Sequence, residues 1–171
     1  MTNQRRAIFF DRDGVLNKER KDYVKTHSEL EIFPNIGESI KKLSDAGFLI
    51  VVITNQSAIN RGFTSHENLS EIHSKLQKFL QNNNTQIDSF YYCPHTPKDN
   101  CNCRKPNPGL ILRAADELKI NLEKSWMIGD NQTDVDAAIK SGCKYFKINS
   151  NSELPQIVKK ILDLKIGEKY L

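Results

Sequence analysis

The sequence lacks the features that mark secreted and membrane proteins. Its first residues do not contain the apolar core of a signal peptide, and no apolar run approaches the ~20 residues that cross a bilayer. There is no internal repeat, linker or low-complexity segment, and glycine and proline are few, at 8 and 6 in 171 residues. We therefore expect a globular protein with a cytoplasmic location and no membrane partner.

A strong charge of one sign is also absent. The formal net charge is +4, and the basic residues are scattered among acidic ones instead of forming a stripe. This pattern does not indicate a nucleic-acid partner. A chain of 171 residues, 38% of them hydrophobic, can bury about two-thirds of its unfolded surface and needs no disulfide framework. We expect residues 1–171 to form one domain and the protein to be a monomer.

The chain has only four cysteines, and three of them fall within eleven positions in the stretch CPHTPKDNCNC. In a cytosolic protein this crowding favours metal ligation over a disulfide. Three sulfurs and one imidazole are the ligand count of a closed tetrahedral zinc site, which is structural because no coordination position is open. The alternatives are free cysteines or redox chemistry. The predicted zinc ligands are Cys93, His95, Cys101 and Cys103.

Short apolar runs alternate with segments of helical periodicity along the chain. The runs lack strict alternation of apolar and polar residues, as expected of strands covered on both faces. This order predicts an α/β fold: a doubly wound, Rossmann-like, five-stranded parallel sheet with helices on both faces. The spaces between the early strands hold only a helix and short loops each, so we expect no cap domain. The strands are predicted over 7–10, 48–53, 89–92, 125–128 and 145–148.

Capping residues indicate where the helices begin and end. Asn35, with a glutamate three positions later, predicts an N-cap with a capping box, and Gly47 predicts the end of that helix. Ser65 predicts the start of the second helix. Asn107 predicts the N-cap of the third helix, with Pro108 at its first position. The fourth helix is predicted from about residue 133 to residue 141, and the fifth from about residue 155.

Acidic and polar residues follow the predicted strands where each strand ends. Asp11 and Asp13 follow the first strand, and Thr54 follows the second. Asp130 follows the fourth, and Lys105 ends the long loop after the third. Ligands bind parallel sheets outside the carboxyl ends of the strands, so we expect these side chains to converge.

Together, these side chains could bind a metal ion and an anion. Closely placed acids are tolerable around a hard divalent cation, and oxygen-rich sites with few protein ligands suit Mg²⁺. Its predicted ligands are Asp11, Asp130 and the main-chain carbonyl of Asp13. Lys105 would offset the remaining negative charge, and Thr54 would donate a hydrogen bond to a bound anion.

Four segments, DRDGVLN, TNQS, RKPNPG and GDNQTD, occur in that order and spacing. Together they resemble the signature motifs of the haloacid dehalogenase-like phosphatases, and the resemblance runs from about residue 8 to residue 148. It implies a Mg²⁺-dependent phosphatase in which Asp11 attacks phosphorus and becomes an aspartyl phosphate. Asp13 would protonate the leaving oxygen and then activate the water that hydrolyses the intermediate.

The resemblance also implies roles for other motif residues. Thr54 and Lys105 would hold the transferring phosphoryl group, Asp130 would bind Mg²⁺, and Asp134 would support the metal without ligating it directly. We expect further substrate contacts from the segment 18–24. The remaining predicted contacts to substrate or phosphate are Asn55, Gln56, Ser57, Arg61, Arg104 and Asn131.

The cysteine loop that leads into RKP resembles one branch of that family, which contains D-glycero-D-manno-heptose 1,7-bisphosphate 7-phosphatases and histidinol-phosphate phosphatases. TNQSAINRGF and RKPNPGL are similar to the heptose enzymes and predict removal of the 7-phosphate of that sugar bisphosphate, in carbohydrate metabolism. The short spacer between His95 and Cys101 is similar to the histidinol-phosphate enzymes, so histidinol phosphate is the alternative substrate.

Two interpretations from other classes stay open. A phospho-receiver signalling domain also carries an aspartyl phosphate on a doubly wound sheet, but receivers place the acceptor aspartate after the third strand, where this chain has Cys93. A non-catalytic, zinc-stabilised binding domain is the other interpretation. No residue type that catalysis requires is missing, which favours the enzyme.

Overall fold

Five parallel strands form the sheet of the computed structural model, which describes residues 4–168. They are β1 (Arg6–Phe10), β2 (Phe48–Asn55), β3 (Ser89–Cys93), β4 (Trp126–Gly129) and β5 (Lys144–Lys147). Their order is β3-β2-β1-β4-β5, so the chain builds outward from β1 and then crosses to its other side. The doubly wound sheet of the prediction is confirmed. The boundary between β1 and β4 is the switch point, where such sheets bind ligands.

Helices cover both faces of the sheet. They are α1 (Ile36–Asp45), α2 (His66–Asn82), α3 (Gly109–Leu118), α4 (Gln132–Ser141) and α5 (Leu154–Glu168). Side chains alternate along β1 and divide the core in two. Ile8 and Phe10 pack in one cluster with α1, α2 and α5, while Ala7 and Phe9 pack in the other with α3 and α4. All four side chains are fully buried.

The predicted capping box of α1 and the predicted N-cap of α3 are wrong, for the same physical reason. α1 begins after Asn35 as expected, but Asn35 makes no capping hydrogen bond and instead donates to the main-chain carbonyl of Asn151. α3 begins one residue later than predicted, with Pro108 as its N-cap residue. The amide of Asn107 donates to the carbonyl of Cys101 at 2.8 Å. In both cases a tertiary partner takes the side chain that local pattern assigns to a cap.

The other capping predictions are confirmed. The Ser65 side chain accepts a hydrogen bond from the third backbone N–H of α2. Gly47 and Gly142 follow α1 and α4 with φ angles of +86° and +79°, the left-handed conformation that ends many helices.

Residues 11–35 join β1 to α1, and residues 56–65 join β2 to α2. The first contains one 3-10 turn, His27–Glu29, and the second consists of turns. The absence of a cap domain and the extent of a single domain over 1–171 stay predictions. No helix in the range 4–168 is both long enough and apolar enough to cross a membrane.

His73 is a buried titratable group on α2. Its ring stacks on Phe90 with the ring centroids 4.4 Å apart, and its Nε2 atom has no hydrogen-bond partner among the described residues. Burial lowers the pKa of His73 to about 3, helped by the charge of Arg12 and opposed by that of Asp13. An unfolded chain, with a histidine pKa of about 6.5, protonates this residue far more readily.

His73 is therefore expected to make the fold sensitive to acid. Because the pKa of His73 is lower in the folded protein than in the unfolded chain, its contribution to stability is complete above about pH 6.5 and is lost as the pH falls toward 3. By about pH 5 the loss is ~2 kcal/mol. We expect His73→Phe to flatten the pH dependence of the free energy of unfolding, measured by urea denaturation between about pH 7 and pH 5.

The matched control is His27→Gln, which removes an exposed histidine paired with Glu71. It should change the slope far less than His73→Phe does. Equal slopes for the parent and His73→Phe would show that His73 does not couple folding to pH.

Candidate active site

A cavity of about 640 Å³ opens at the carboxyl ends of β1, β2 and β4. Most of the predicted site residues line it. Thr54 does not: it is 1% exposed, and its hydroxyl accepts a hydrogen bond from the Gln56 amide at 2.9 Å. The predicted residues that line the cavity are Asp11, Asp13, Asn55, Gln56, Ser57, Arg61, Arg104, Lys105, Asp130, Asn131 and Asp134.

Lys105 lies at the centre of the acidic residues and is 3% exposed. Its Nζ atom is 2.9 Å from Asp11 Oδ1 and 2.7 Å from Asp134 Oδ1, and it donates to the carbonyl of Ile53 at 2.7 Å. Burial alone would lower the pKa of Lys105, but the two carboxylates outweigh burial and raise it. The side chain is therefore a fixed positive charge in the floor of the cavity.

Asp11, Asp130 and Asp134 present carboxylate oxygens within 4.8 Å of one another. Burial raises the pKa of Asp11 even though Lys105 opposes it, and burial together with Asp134 raises the pKa of Asp130 to about 6. Three carboxylates around one ammonium leave two negative charges uncompensated, and one Mg²⁺ would neutralise both. The cluster therefore fits a hard divalent cation with oxygen ligands.

The membership of this cluster differs in part from the prediction. Asp134, expected to support the metal without ligating it, belongs to the cluster and also pairs with Lys105. The side chain of Asp13 lies outside the cluster. Ligation by the Asp13 carbonyl stays a prediction.

Two glycines make room for these carboxylates. A Cβ atom at Gly14 would overlap the carboxylate of Asp130, and one at Gly129 would overlap that of Asp134. Gly14 also has a φ angle of +82°, which disfavours other residues. The glycine that follows the two aspartates thus allows the turn after β1 to pack directly against the residue after β4.

Asp13 faces the cavity with 24% of its side chain exposed. Arg12 pairs with it at 2.9 Å, and the amides of Asn17 and Gln56 donate to it. Burial would raise the pKa of Asp13, but Arg12 and these hydrogen bonds outweigh burial and lower it. Asp11 and Asp13 thus have pKa values displaced in opposite directions, as expected of two carboxylates with different roles.

Three of the predicted substrate contacts also bind within the protein. Asn55 holds the backbone of Lys105 on both sides: its Oδ1 accepts from the Lys105 N–H at 3.0 Å, and its Nδ2 donates to the Lys105 carbonyl at 3.1 Å. Asn131 is the N-cap of α4. Ser57 accepts a hydrogen bond of 3.4 Å from Arg61 Nε. These side chains are held in place before any ligand binds.

The sequence does not predict two buried residues of the site, Arg12 and Asn17, both fully buried. Both lie inside the DRDGVLN segment, where an arginine between two aspartates is expected to be a solvated charge. The available signal is that Arg12 stands in an otherwise buried stretch. The segment 18–24 is expected to contact the substrate. Among its residues, Glu19, Arg20 and Lys21 do line the cavity.

The four predicted zinc ligands meet beside the cavity. The three sulfurs are 3.2–3.5 Å apart, and His95 Nδ1 is 3.4 Å from Cys93 Sγ and 3.2 Å from Cys103 Sγ. A tetrahedron with such edges has its centre ~2.1 Å from each corner, close to zinc bond lengths of about 2.0–2.3 Å. The cluster therefore fits zinc. Arg104 Nη1 donates to the His95 carbonyl at 3.1 Å, which ties a cavity side chain to the cluster.

Comparisons with known proteins agree with this geometry. A family model described as HAD-hydrolase-like matches residues 102–162. The D-glycero-beta-D-manno-heptose-1,7-bisphosphate 7-phosphatase of Helicobacter pylori (strain ATCC 700392 / 26695) is 40% identical over 143 residues, which cover 83% of this chain and 82% of that protein. The protein of the same name from Escherichia coli (strain K12) is 33% identical, with 90% and 94% covered.

A solved structure is similar over nearly the whole chain. It is the D,D-heptose 1.7-bisphosphate phosphatase from B. bronchiseptica, complexed with magnesium and phosphate. Its TM-score is 0.82 at 32% sequence identity, and the match covers 93% of this chain and 86% of that one.

The doubly wound sheet, the acidic cluster that fits a divalent cation and the similarity to phosphatases together define a metal-dependent hydrolase on a Rossmann-like sheet. The chain belongs to the haloacid dehalogenase-like (HAD-like) family of hydrolases. The curated relatives reported above are, more narrowly, heptose bisphosphate phosphatases. The predicted family and the predicted class of enzyme are confirmed, and the receiver and non-catalytic interpretations are not supported.

Gly14→Ala is expected to weaken Mg²⁺ binding by tenfold or more, about 1.4 kcal/mol, because the added methyl group overlaps Asp130. Isothermal titration with Mg²⁺ measures the change. Gly47→Ala is the control, since Gly47 has a similar φ of +86° but nothing within 4 Å of its Cβ position. Equal weakening in both variants would contradict an effect that acts through the overlap with Asp130.

Cys101→Ser is expected to remove the bound zinc, about one ion per chain in the parent, and to lower the midpoint of thermal unfolding. Elemental analysis and thermal denaturation measure the two effects. Cys143→Ala is the control, because Cys143 is buried in the core apart from the cluster and should leave the zinc content unchanged. Full zinc content in Cys101→Ser would contradict the ligand assignment.

Proposed function

We propose that this chain is a Mg²⁺-dependent phosphomonoesterase that removes the 7-phosphate of D-glycero-D-manno-heptose 1,7-bisphosphate. The observation that carries the proposal is the convergence of Asp11, Asp130 and Lys105 at the ends of β1 and β4. The relatives named for this reaction support the choice of substrate.

Asp11 is the proposed nucleophile. The N–H of Arg12 and the Nζ of Lys105 both contact its Oδ1 atom, at 2.8 and 2.9 Å. This arrangement leaves Oδ2 for attack on phosphorus. The attack forms an acyl phosphate on Asp11 and breaks the bond between phosphorus and the sugar oxygen, and Lys105 neutralises charge on the transferring group.

Asp13 is the proposed acid and base. It gives a proton to the departing sugar oxygen, and it then takes a proton from the water that attacks the acyl phosphate and releases inorganic phosphate. Its neighbours keep Asp13 ionised in the free protein. A bound phosphate dianion favours the neutral carboxyl, so the proton is taken up when the substrate binds.

Mg²⁺, held by Asp11 and Asp130 with Asp134 beside them, would offset the charge of the phosphoryl oxygens. The proposed roles of these residues follow from their position: all three carboxylates meet where the nucleophile stands. Contact between the Thr54 hydroxyl and the phosphoryl group stays a prediction, because this side chain is buried, does not line the cavity and accepts a hydrogen bond from Gln56.

The walls of the cavity carry groups suited to a phosphorylated sugar. Arg61 and Arg104 line it together with Lys21 and Arg20. A guanidinium fork matches phosphate oxygens or a pair of hydroxyls. We assign Arg61, Arg104, Ser57 and Asn131, which all line the cavity, to substrate contact.

A panel of substrates tests the proposal. Phosphate release is measured from the heptose bisphosphate, histidinol phosphate and p-nitrophenyl phosphate, with and without Mg²⁺. We expect kcat/KM for the heptose bisphosphate to exceed that for histidinol phosphate by roughly 10²-fold, because buried polar groups that miss their partners discriminate strongly. A preference for histidinol phosphate would overturn the substrate, and no release from any compound would overturn the activity.

Asp11→Asn is expected to lower phosphate release by roughly 10⁴-fold or more while the protein stays folded, because the amide cannot attack phosphorus. Circular dichroism checks the fold. Asp116→Asn, a change at an exposed aspartate on α3, is the matched control and should retain full activity. Activity in Asp11→Asn equal to that of the parent would exclude this nucleophile.

A further inference from the structure

Three buried side chains enclose the carboxylate of Asp13. Arg12 places Nε 3.3 Å and Nη2 2.9 Å from Oδ1, and Nη2 3.1 Å from Oδ2. Asn17 Nδ2 donates to Oδ1 at 2.9 Å, and Gln56 Nε2 donates to Oδ2 at 2.8 Å. We refer to Arg12, Asn17 and Gln56 as the Asp13 cage. Each oxygen of Asp13 receives at least two of these contacts.

The cage is costly as a purely structural feature. Arg12 and Asn17 are fully buried, and Gln56 is 4% exposed. Removing a guanidinium from water costs several kcal/mol, and Arg12 Nη1 and Asn17 Oδ1 have no hydrogen-bond partner among the described residues. Apolar side chains at these positions would avoid that cost. The positions therefore favour a role in the site over a role in stability.

The cage members are also joined to one another and to the turn. Arg12 Nη2 is 3.4 Å from Gln56 Oε1, and Asn17 Nδ2 donates a second hydrogen bond to the Lys18 carbonyl at 2.9 Å. The Arg12 carbonyl accepts from the N–H groups of the residues that close the turn after β1. A carboxylate held from two sides by connected donors has one orientation, and in this orientation Asp13 lines the cavity with 24% of its side chain exposed.

We infer that Arg12, Asn17 and Gln56 are positioning residues that fix the Asp13 carboxylate toward the leaving oxygen of the substrate. This inference rests on the proposed function, in which Asp13 is the general acid. Gln56 then acts through Asp13 and not by contact with the substrate. A misaligned acid slows expulsion of a poor leaving group such as a sugar alkoxide, but matters little for nitrophenolate, which leaves without a proton.

The test compares two leaving groups in single turnover with the enzyme in excess, so that only the first step is measured. In Gln56→Met, release of the sugar from the heptose bisphosphate should fall by roughly 10²-fold, while release of nitrophenolate from p-nitrophenyl phosphate should stay within about threefold of the parent. Arg12→Met, if it folds, should show the same asymmetry. Asn17→Ser is the third variant, should Arg12→Met fail to fold.

The matched control is Gln77→Met, which removes a glutamine whose amide bonds the backbone of Ile87, away from the cavity. It should alter stability without changing the ratio of the two rates. In an Asp13→Asn background, Gln56→Met should cause no further loss with either substrate, because its partner is already inactive. A further loss there, or equal loss with both substrates in Gln56→Met alone, would overturn the inference.

Different results would overturn the proposed function and the role of the cage. If Asp11→Asn retains full activity, the proposed function is wrong and the cage has no acid to position. If Asp11→Asn is inactive but Gln56→Met slows both leaving groups equally, the proposed function stands and the cage is structural.

Discussion

The ion pairs of Lys105 join the parts of this site. Its ammonium group contacts a carboxylate that follows β1, a carboxylate at the start of α4 and a main-chain carbonyl of β2, while its own loop comes from β3. One cation thus links the ends of four strands. Without it, the neighbouring carboxylates would repel one another in a buried setting, and an uncompensated buried charge costs about 3–5 kcal/mol.

Lys105 can make these contacts only if its backbone is fixed, yet it lies in a long, polar loop. Two sets of contacts hold this loop in place. Asn55 binds the N–H and the carbonyl of Lys105 from the end of β2. The cysteine cluster folds the preceding residues into a compact unit, whose His95 carbonyl accepts from Arg104. The cluster has no need of an open coordination position, because its contribution is to geometry.

Much of this could be predicted from sequence, because a simple rule connects the pattern to the site. Apolar runs separated by helices give a parallel sheet, and polar residues directly after such runs gather at one edge. The order of the elements and the acidic cluster follow from that rule, and the cysteine cluster follows from the count and crowding of its ligands. Asn35 and Asn107 did not follow local expectation, since their amides bond carbonyls of Asn151 and Cys101. Only the folded chain brings the first of these pairs together.

The hydrogen-bond partners of Asp13 could not be predicted from the sequence for a related reason. The buried stretch around Arg12 is only a weak local signal, because its burial also depends on residues distant in sequence, such as Gln56 and His73. The TNQS motif identifies Gln56 as a site residue but does not say that its amide turns inward to a carboxylate. Spacing locates a site residue along the chain. Its hydrogen-bond partner depends on packing.

The central position of β1 has a consequence for motion. Alternate residues of this strand anchor both halves of the core, and the strand is paired on both edges. Segments of this kind open only when the whole protein unfolds, whereas loops with few buried contacts open on their own. Asp11 is the next residue after β1. The segments proposed to contact the substrate can therefore open locally, while the residue proposed as the nucleophile is anchored to the strand that opens last.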